Sequence, residues 1–421
     1  MAAHLRPSLE DKIEDSRQTS IAALPKDDEL PARIEHGTED ILVLNEEEAL
    51  VRARGDPKST VQIFVTFKHR DPTNPREWPK WKRYYTTFFC SWLNVMTCLC
   101  AGGYSSGSGY MVAEFDVSDE VGTLCLSLYI LGFAVGPMIL APLSEYYGRR
   151  PVYICSWFIL FIFQLPVALA PNIGTVIVCR LIQGFGGSAP LANTGGTVSD
   201  LFERNESGYA MLLYGLSSTF GPPLALVISG YIALEEGWRI LFWFFMAVTG
   251  VHLVIMILTI PETRHSTILE KKANRVRQTL MKEGVSSETV SRISDVHSKG
   301  NKRSMHRLVA TNLSRPFRFL FTEPITMGAA AYNGLLYGIV YIFNEAFPLV
   351  FGPGGHGFNT GEWGLTFLGL CVGALLAACC HPLQERYYLR RVAQNGGKGV
   401  PEARMWQARY AAFLLPVSLF W

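Results

Sequence analysis

The sequence predicts an all-α polytopic membrane protein, on three observations. Long apolar runs recur after residue 82, their interiors are nearly free of charge, and the basic residues between them fall in alternate loops. Of the 421 residues 49% are hydrophobic and 18% charged, against about 25% charged in soluble domains. The net charge of +2 points to no partner, whereas the distribution of charge is informative.

A spanning helix needs about 20 mostly apolar residues. Eight segments qualify: 84–106, 122–143, 152–170, 174–198, 209–232, 239–260, 325–351 and 363–383. A ninth begins near Tyr410 and runs to Trp421, which at about 1.5 Å per residue reaches only partway across a bilayer. Helices are expected because a lone strand leaves backbone groups unsatisfied in lipid.

Residues 1–82 are polar, alternate in charge and lack a core pattern, which predicts a disordered cytosolic tail. No apolar h-region follows Met1, so the first span is expected to direct insertion. Lys80, Lys82 and Arg83 beside Trp78 and Trp81 read as an interfacial anchor. Residues 83–260 make an N-terminal six-helix bundle and 261–323 a basic cytosolic linker. Residues 324–421 make a partial C-terminal bundle, two full helices and the start of a third. This is the layout of a two-halved transporter, a class that binds substrate near the midplane between its halves.

Orientation follows from loop charge. Arg149 and Arg150 follow the second span, Arg204 the fourth, ten basic residues from Lys271 to Arg307 the sixth, and Arg386, Arg390 and Arg391 the eighth. Segments 107–121 and 352–362 carry no Lys or Arg. The even-numbered loops and the N-terminus are therefore expected in the cytosol. The sequons at Asn205 and Asn312 fall on that side and are expected to stay unglycosylated. All nine cysteines lie in apolar segments, which predicts packing roles without disulfides or zinc.

The second-to-third loop reads Ala141-Pro-Leu-Ser-Glu145-Tyr-Tyr-Gly148-Arg149-Arg150-Pro151. Gly148 permits a tight turn, and carboxylate–guanidinium bonding between Glu145 and the arginines would hold two helix ends together. An ordinary positive-inside loop is the alternative. The segment resembles motif A of the major facilitator superfamily, especially its form in fungal twelve-helix drug:proton antiporters. That resemblance implies a cytosolic latch of Glu145, Gly148, Arg149 and Arg150. The broader superfamily pattern has Gly at Ala141 and Asp at Glu145.

Arg180 and Gln183, in Arg180-Leu-Ile-Gln-Gly-Phe-Gly-Gly187, share a helical face within the fourth span. An intramembrane arginine faces a cavity or partner; snorkelling near a helix end is the alternative. The run is similar to motif B, where the arginine is implicated in proton coupling. The fifth span contains Phe220-Gly221-Pro222-Pro223 and Gly230, which resemble the helix-bending motif C of antiporters. Ala225-Leu226 stands where the family has a second Gly-Pro, and a plain kinked helix is the alternative. Gly237-Trp238-Arg239, Pro261-Glu-Thr-Arg264 and Pro401-Glu-Ala-Arg404 also resemble landmarks of the fungal exporters.

In the seventh span Asn333, Tyr337 and Glu345 are polar candidates for lining a cavity. A carboxylate in an apolar cavity exchanges a proton near neutral pH; an interfacial glutamate is the alternative for Glu345. The resemblance covers residues from about 80 to 421 and implies the major facilitator fold. It also implies a proton-coupled efflux transporter of small organic molecules (drugs, polyamines or a secondary metabolite or toxin) working by alternating access. Its expected partners are that substrate, protons and the lipid bilayer of the plasma or vacuolar membrane, with oligomeric state left open. The alternative is a non-transporting membrane protein, inert or accessory, because the chain stops in its ninth helix and the family has twelve. No metal box, phosphate loop or nucleophile motif stands out, so no enzyme activity, cofactor or nucleic-acid partner is expected.

Overall fold

The computed structural model describes residues 33–36, 39–55, 61–203, 206–295, 314, 317–352, 354–396 and 399–420. In chain order the elements begin with β1 (Arg33–His36), β2 (Glu39–Leu44), α1 (Glu46–Gly55) and β3 (Gln62–Val65). The long helices follow: α2 (Lys80–Phe115), α3 (Asp119–Tyr147), α4 (Arg149–Ile162), α5 (Gln164–Ala168), α6 (Ile173–Leu201) and α7 (Gly208–Thr259). Then come α8 (His265–Lys282), α9 (Ser287–Ser291) and β4 (Ile293–Asp295). The chain continues with α10 (Pro324–Phe351), α11 (Thr360–Thr366), α12 (Leu368–Gln394) and α13 (Trp406–Phe420). It divides into two compact units, Met1–Glu77 with His265–Lys302, and Trp78–Arg264 with Arg303–Trp421.

The larger unit is a helix bundle. Among the described residues five stretches are long and apolar enough to cross a membrane: α3, α4 with α5, α6, α7, and α11 with α12. The expected fifth and sixth spans follow one another directly along α7, as two helices joined at Gly237, whose φ of 82° and ψ of 173° lie outside helical values. Glycine reaches that conformation without the steric cost a Cβ brings. The expected first span lies in α2, which is not among the five; its glycines and serines between Gly102 and Gly109 dilute its hydropathy. The expected seventh span is α10, also not among them, and some of its side chains lie outside the described residues. The ninth is α13. Asn172 caps α6, its Oδ1 accepting from Thr175 N–H at 2.9 Å, as side-chain oxygens do at orphaned helix starts.

The core is shared by α2 to α7, around Tyr104, Tyr129, Trp157, Phe242 and Phe245. Hydrogen bonds in it join distant helices. Trp157 Nε1 donates to Thr249 O at 2.9 Å and Trp92 Nε1 to His252 Nε2 at 2.8 Å, while at the exposed edge Tyr85 Oη donates to Thr259 Oγ1 at 2.9 Å. Trp78, expected as an anchor, is buried against Val198, Leu201, Phe202 and Ala210, whereas Trp81 is exposed.

The smaller unit corrects the expectation of a disordered tail over 1–82. Residues 1–32 lie outside the described residues, but 39–65 supply strands and a helix. The sheet order is β1-β2-β3-β4, with β1 and β2 antiparallel and the other pairs parallel. β2, α1 and β3 form a βαβ crossover, and the fourth strand comes from the basic linker. Leu44, Ala49, Ala53, Ile63 and Val65 pack there with Ala273, Val276, Leu280, Val290 and Ile293. The tail looks coreless in sequence because half of its core lies more than 200 residues away.

Candidate functional site

The α3–α4 turn positions the first cluster. Gly148 joins the two helices with a φ of 102°, a value that favours glycine. It aims Arg149 inward, where the residue is 6% exposed. Its Nε donates to Asp200 Oδ2 at 3.2 Å, and its terminal nitrogen to Ser144 Oγ at 2.7 Å. Ser144 Oγ in turn donates to Asn193 Oδ1 at 2.8 Å. Arg264 shares Asp200 from the other side, at 3.6 Å.

Glu262 completes the cluster. Its Oε1 accepts from Arg149 N–H at 2.9 Å and its Oε2 from Arg150 N–H at 3.2 Å. Oε1 also accepts from the backbone N–H groups of Thr263 and Arg264, at 3.0 and 2.9 Å. A carboxylate is therefore seated on the N-terminus of α4, where orphan amides and the helix dipole favour negative charge. Arg150 donates to Ile257 O at 2.8 Å. Two carboxylates and three guanidiniums so tie α3, α4, α6 and the end of α7 at one end of the bundle.

Of the sequence-derived latch, Gly148, Arg149 and Arg150 belong to this cluster. Glu145 does not: it is exposed, and among the described residues the acidic partners are Asp200 and Glu262. The reason is register. Ser144, not Glu145, faces α6, since adjacent helical residues point about 100° apart. Asp200, Asn193 and Glu262 were missed because they lie far away in sequence. A lone acid closing the fourth span, and the glutamate of Pro261-Glu-Thr-Arg264, were the available signals.

Arg180 is wholly buried in α6. It donates to Cys100 O at 2.9 Å, Ala101 O at 3.3 Å and Gln183 Oε1 at 3.4 Å. Its guanidinium lies 4.6 Å from the Tyr104 ring centroid and 4.3 Å from that of Tyr129. Such desolvated cation–π contacts contribute about 2 kcal/mol each. Among the described residues no carboxylate pairs with it, and its Nε has no hydrogen-bond partner. Gln183 donates onward to Phe163 O at 2.8 Å and Gln164 Oε1 at 3.2 Å. Snorkelling is excluded by this burial.

In α7 the backbone remains helical through Pro222 and Pro223 and departs only at Gly237. Gly221 abuts Cys98 on α2, and a Cβ on Gly230 would come 2.7 Å from Thr360 O at the start of α11. Asn333 and Tyr337 are exposed on α10. Asn333 donates to Ala329 O at 3.0 Å on its own helix, and Tyr337 reaches Ser218. Glu345 lies in α10, with its side chain outside the described residues. Among the described residues no hydrogen bond joins Asn333 to Arg180.

Two further contacts were not legible as site features. At the end opposite the α3–α4 turn, Glu114 accepts from Trp238 Nε1 at 2.7 Å and pairs with Arg239 at 2.5 Å. Arg239 also donates to Ala170 O at 3.1 Å. At the turn end, the buried Glu385 of α12 meets the first residue of α7, where a Cβ on Gly208 would lie 2.5 Å from Glu385 Oε2.

Comparison with known proteins bears on this arrangement. Residues 87–421 match the Major Facilitator Superfamily. The chain is 34% identical over 357 residues to the transporter paaT of Penicillium rubens, covering 85% of this chain and 63% of that one. It is 32% identical to the efflux pump FUBT of Fusarium oxysporum, covering 87% and 60%. It is 32% identical to the multidrug transporter mdrA of Aspergillus fumigatus, covering 85% and 57%. The chain thus spans about three fifths of the length of these relatives. Among solved structures, an inward-facing, unoccupied bacterial homologue of the human lysosomal transporter Spinster aligns with a TM-score of 0.50. The identity is 16%, over 74% of this chain and 64% of that one.

Proposed function

We propose, from the premise that the chain belongs to the major facilitator superfamily and is a multi-pass membrane transporter, that it exports small organic molecules in exchange for protons. The proposed substrates are drugs, polyamines or a secondary metabolite or toxin, moved by alternating access. Relatives named as efflux pumps and multidrug transporters support the direction. The N-terminus is assigned to the cytosol, from the loop charges, in a plasma or vacuolar membrane. The four-part division of the chain, amended by the folded part of the tail, belongs to the same reading.

The observation that carries proton coupling is Arg180. A guanidinium without a carboxylate partner among the described residues, held by two carbonyls and two phenol faces, responds to any charge entering beside it. Gln183 relays its position. Asn333, Tyr337 and Glu345 are assigned to the substrate cavity, and Gly221, Pro222 and Gly230 to the way α7 meets its neighbours. Arg149, Arg150 and Gly148 hold the cytosolic side, through Asp200 and Glu262, with Glu145 at its exposed edge. The test is flux in proteoliposomes under an imposed pH gradient, across a compound panel. Coupled flux in the parent chain and its loss in Arg180→Ala are expected. Flux indifferent to collapse of the gradient, or intact in Arg180→Ala, refutes the coupling.

A further inference from the structure

We infer that residues 61–77, which lead into α2, and residues 265–295, which follow α7, form a clasp that holds the first and sixth spans together as a pair. The fastening is visible without reference to transport; its consequence for the transport cycle rests on the exporter reading.

Strand pairing, a buried ion pair and a shared core all run between tail and linker in the smaller unit. β3 pairs in parallel with β4, Ile63 opposite Ile293, and Ile63 N–H donates to Arg292 O at 3.2 Å. The Arg277 Nε donates to Ile293 O at 2.8 Å, locking α8 to the end of the same strand. Lys272 and Asp71 form an ion pair with both side chains more than 90% buried, and the ammonium stands 5.3 Å from the Phe67 ring centroid. Asp71 is held in turn by Thr73 N–H at 2.9 Å and Thr73 Oγ1 at 2.7 Å. Arg54 and Glu283 make a two-pronged pair, Nε to Oε2 at 2.8 Å. Neither side has a core alone, since five of the ten buried core residues come from the tail between Leu44 and Val65, two of them from residues 61–77, and five from residues 265–295.

Chain continuity carries the consequence. Asp71 shortly precedes α2, and Lys272 shortly follows α7. Those helices are themselves hydrogen-bonded through Tyr85 and Thr259 near the same ends, and through Trp92 and His252 further in. The close His252 Nδ1 to Val248 O contact, 2.6 Å, leaves Nε2 as the acceptor that the indole N–H requires. The linker is thus tied to the tail as far as Asp295. A buried pair with one partner removed loses far more than the same pair neutralised on both sides, which makes the clasp separable by mutation.

The experiment uses the full chain in membrane vesicles, with tryptic cleavage after Lys282 and Arg292 read by mass spectrometry. Lys272→Met is expected to speed cleavage there at least about tenfold, and Asp71→Asn/Lys272→Met to return it to within about twofold of the parent. Arg54→Ala, on the more exposed pair, is expected to speed it by roughly two- to threefold. In the flux assay Lys272→Met is expected to lower kcat several-fold with KM unchanged, and the double variant to restore it. Parent-like cleavage of Lys272→Met overturns the clasp. Faster cleavage with unchanged kcat overturns its role in the cycle. Absence of flux in the parent chain counts against the exporter reading, while the cleavage comparison still decides the clasp.

Discussion

Replacing Asp200 with Ala leaves the Arg149 guanidinium buried among neutral partners. The two side chains are 7% and 8% exposed, so solvent compensates little. Removing one partner of a buried ion pair costs about 3–5 kcal/mol. Arg149 keeps its 2.7 Å hydrogen bond to Ser144, which places the loss near the lower bound, about 3 kcal/mol. The longer pairing with Arg264, whose side chain is 29% exposed, adds under about 1 kcal/mol. At roughly 2–4 °C per kcal/mol for a bundle of this size, the apparent Tm in detergent falls by about 6–12 °C. The decisive comparison is the double variant Arg149→Ala/Asp200→Ala, which removes both charges. Its loss is expected to be smaller than the sum of the single losses by about 2 kcal/mol. Losses that add within about 0.5 kcal/mol refute the pairing as an energetic unit.

Three other outcomes follow from the geometry. Gly208→Val sets a branched side chain against the Glu385 carboxylate, and pairing it with Glu385→Ala is expected to recover at least half of the lost Tm; no recovery places the strain elsewhere. Glu114→Ala frees Arg239 and Trp238 from α2, and a loss of about 1 kcal/mol is expected in chemical denaturation because the pair is partly exposed. Burial works to raise the Asp71 carboxyl, but hydrogen bonds from Lys272 and Thr73 outweigh it and hold it below the usual range. A lowered carboxyl stabilises above the unfolded value, about 3.9, and that contribution is lost as pH falls through the folded value. Protection of the Lys282 cleavage site, followed by acid exposure, is thus expected to be flat between about pH 5 and 7 and to collapse below about pH 4.

What was legible in the sequence was whatever depends on neighbours along the chain. Apolar run length marks α3, α6 and α12, and Gly148 marks a turn, because a helix or a turn is decided within a few residues. Arg180 and Gln183 declared themselves by polarity inside a span. The acidic partners of Arg149 did not, since Asp200 and Glu262 lie 51 and 113 residues away and the adjacent Glu145 offered a nearer pairing. Strands β3 and β4, four and three residues long, are too short for alternation to be read, and each finds its partner across the whole six-span half. The expected break between fifth and sixth spans is a tight corner, where Gly237 carries the non-helical backbone angles between two helices.

That corner makes α7 a lever. At about 1.5 Å per residue the limb from Gly208 to Gly237 is roughly 45 Å long. A tilt of about 5° pivoting at the glycine sweeps the far tip through roughly 4 Å. The tip is Gly208, seated against the Glu385 carboxylate, while the fulcrum is braced by Trp238 and Arg239 on Glu114. An angular change too small to disturb packing near the fulcrum is large enough to unseat the carboxylate at the other end. The amplification needs no unfolding and no second hinge.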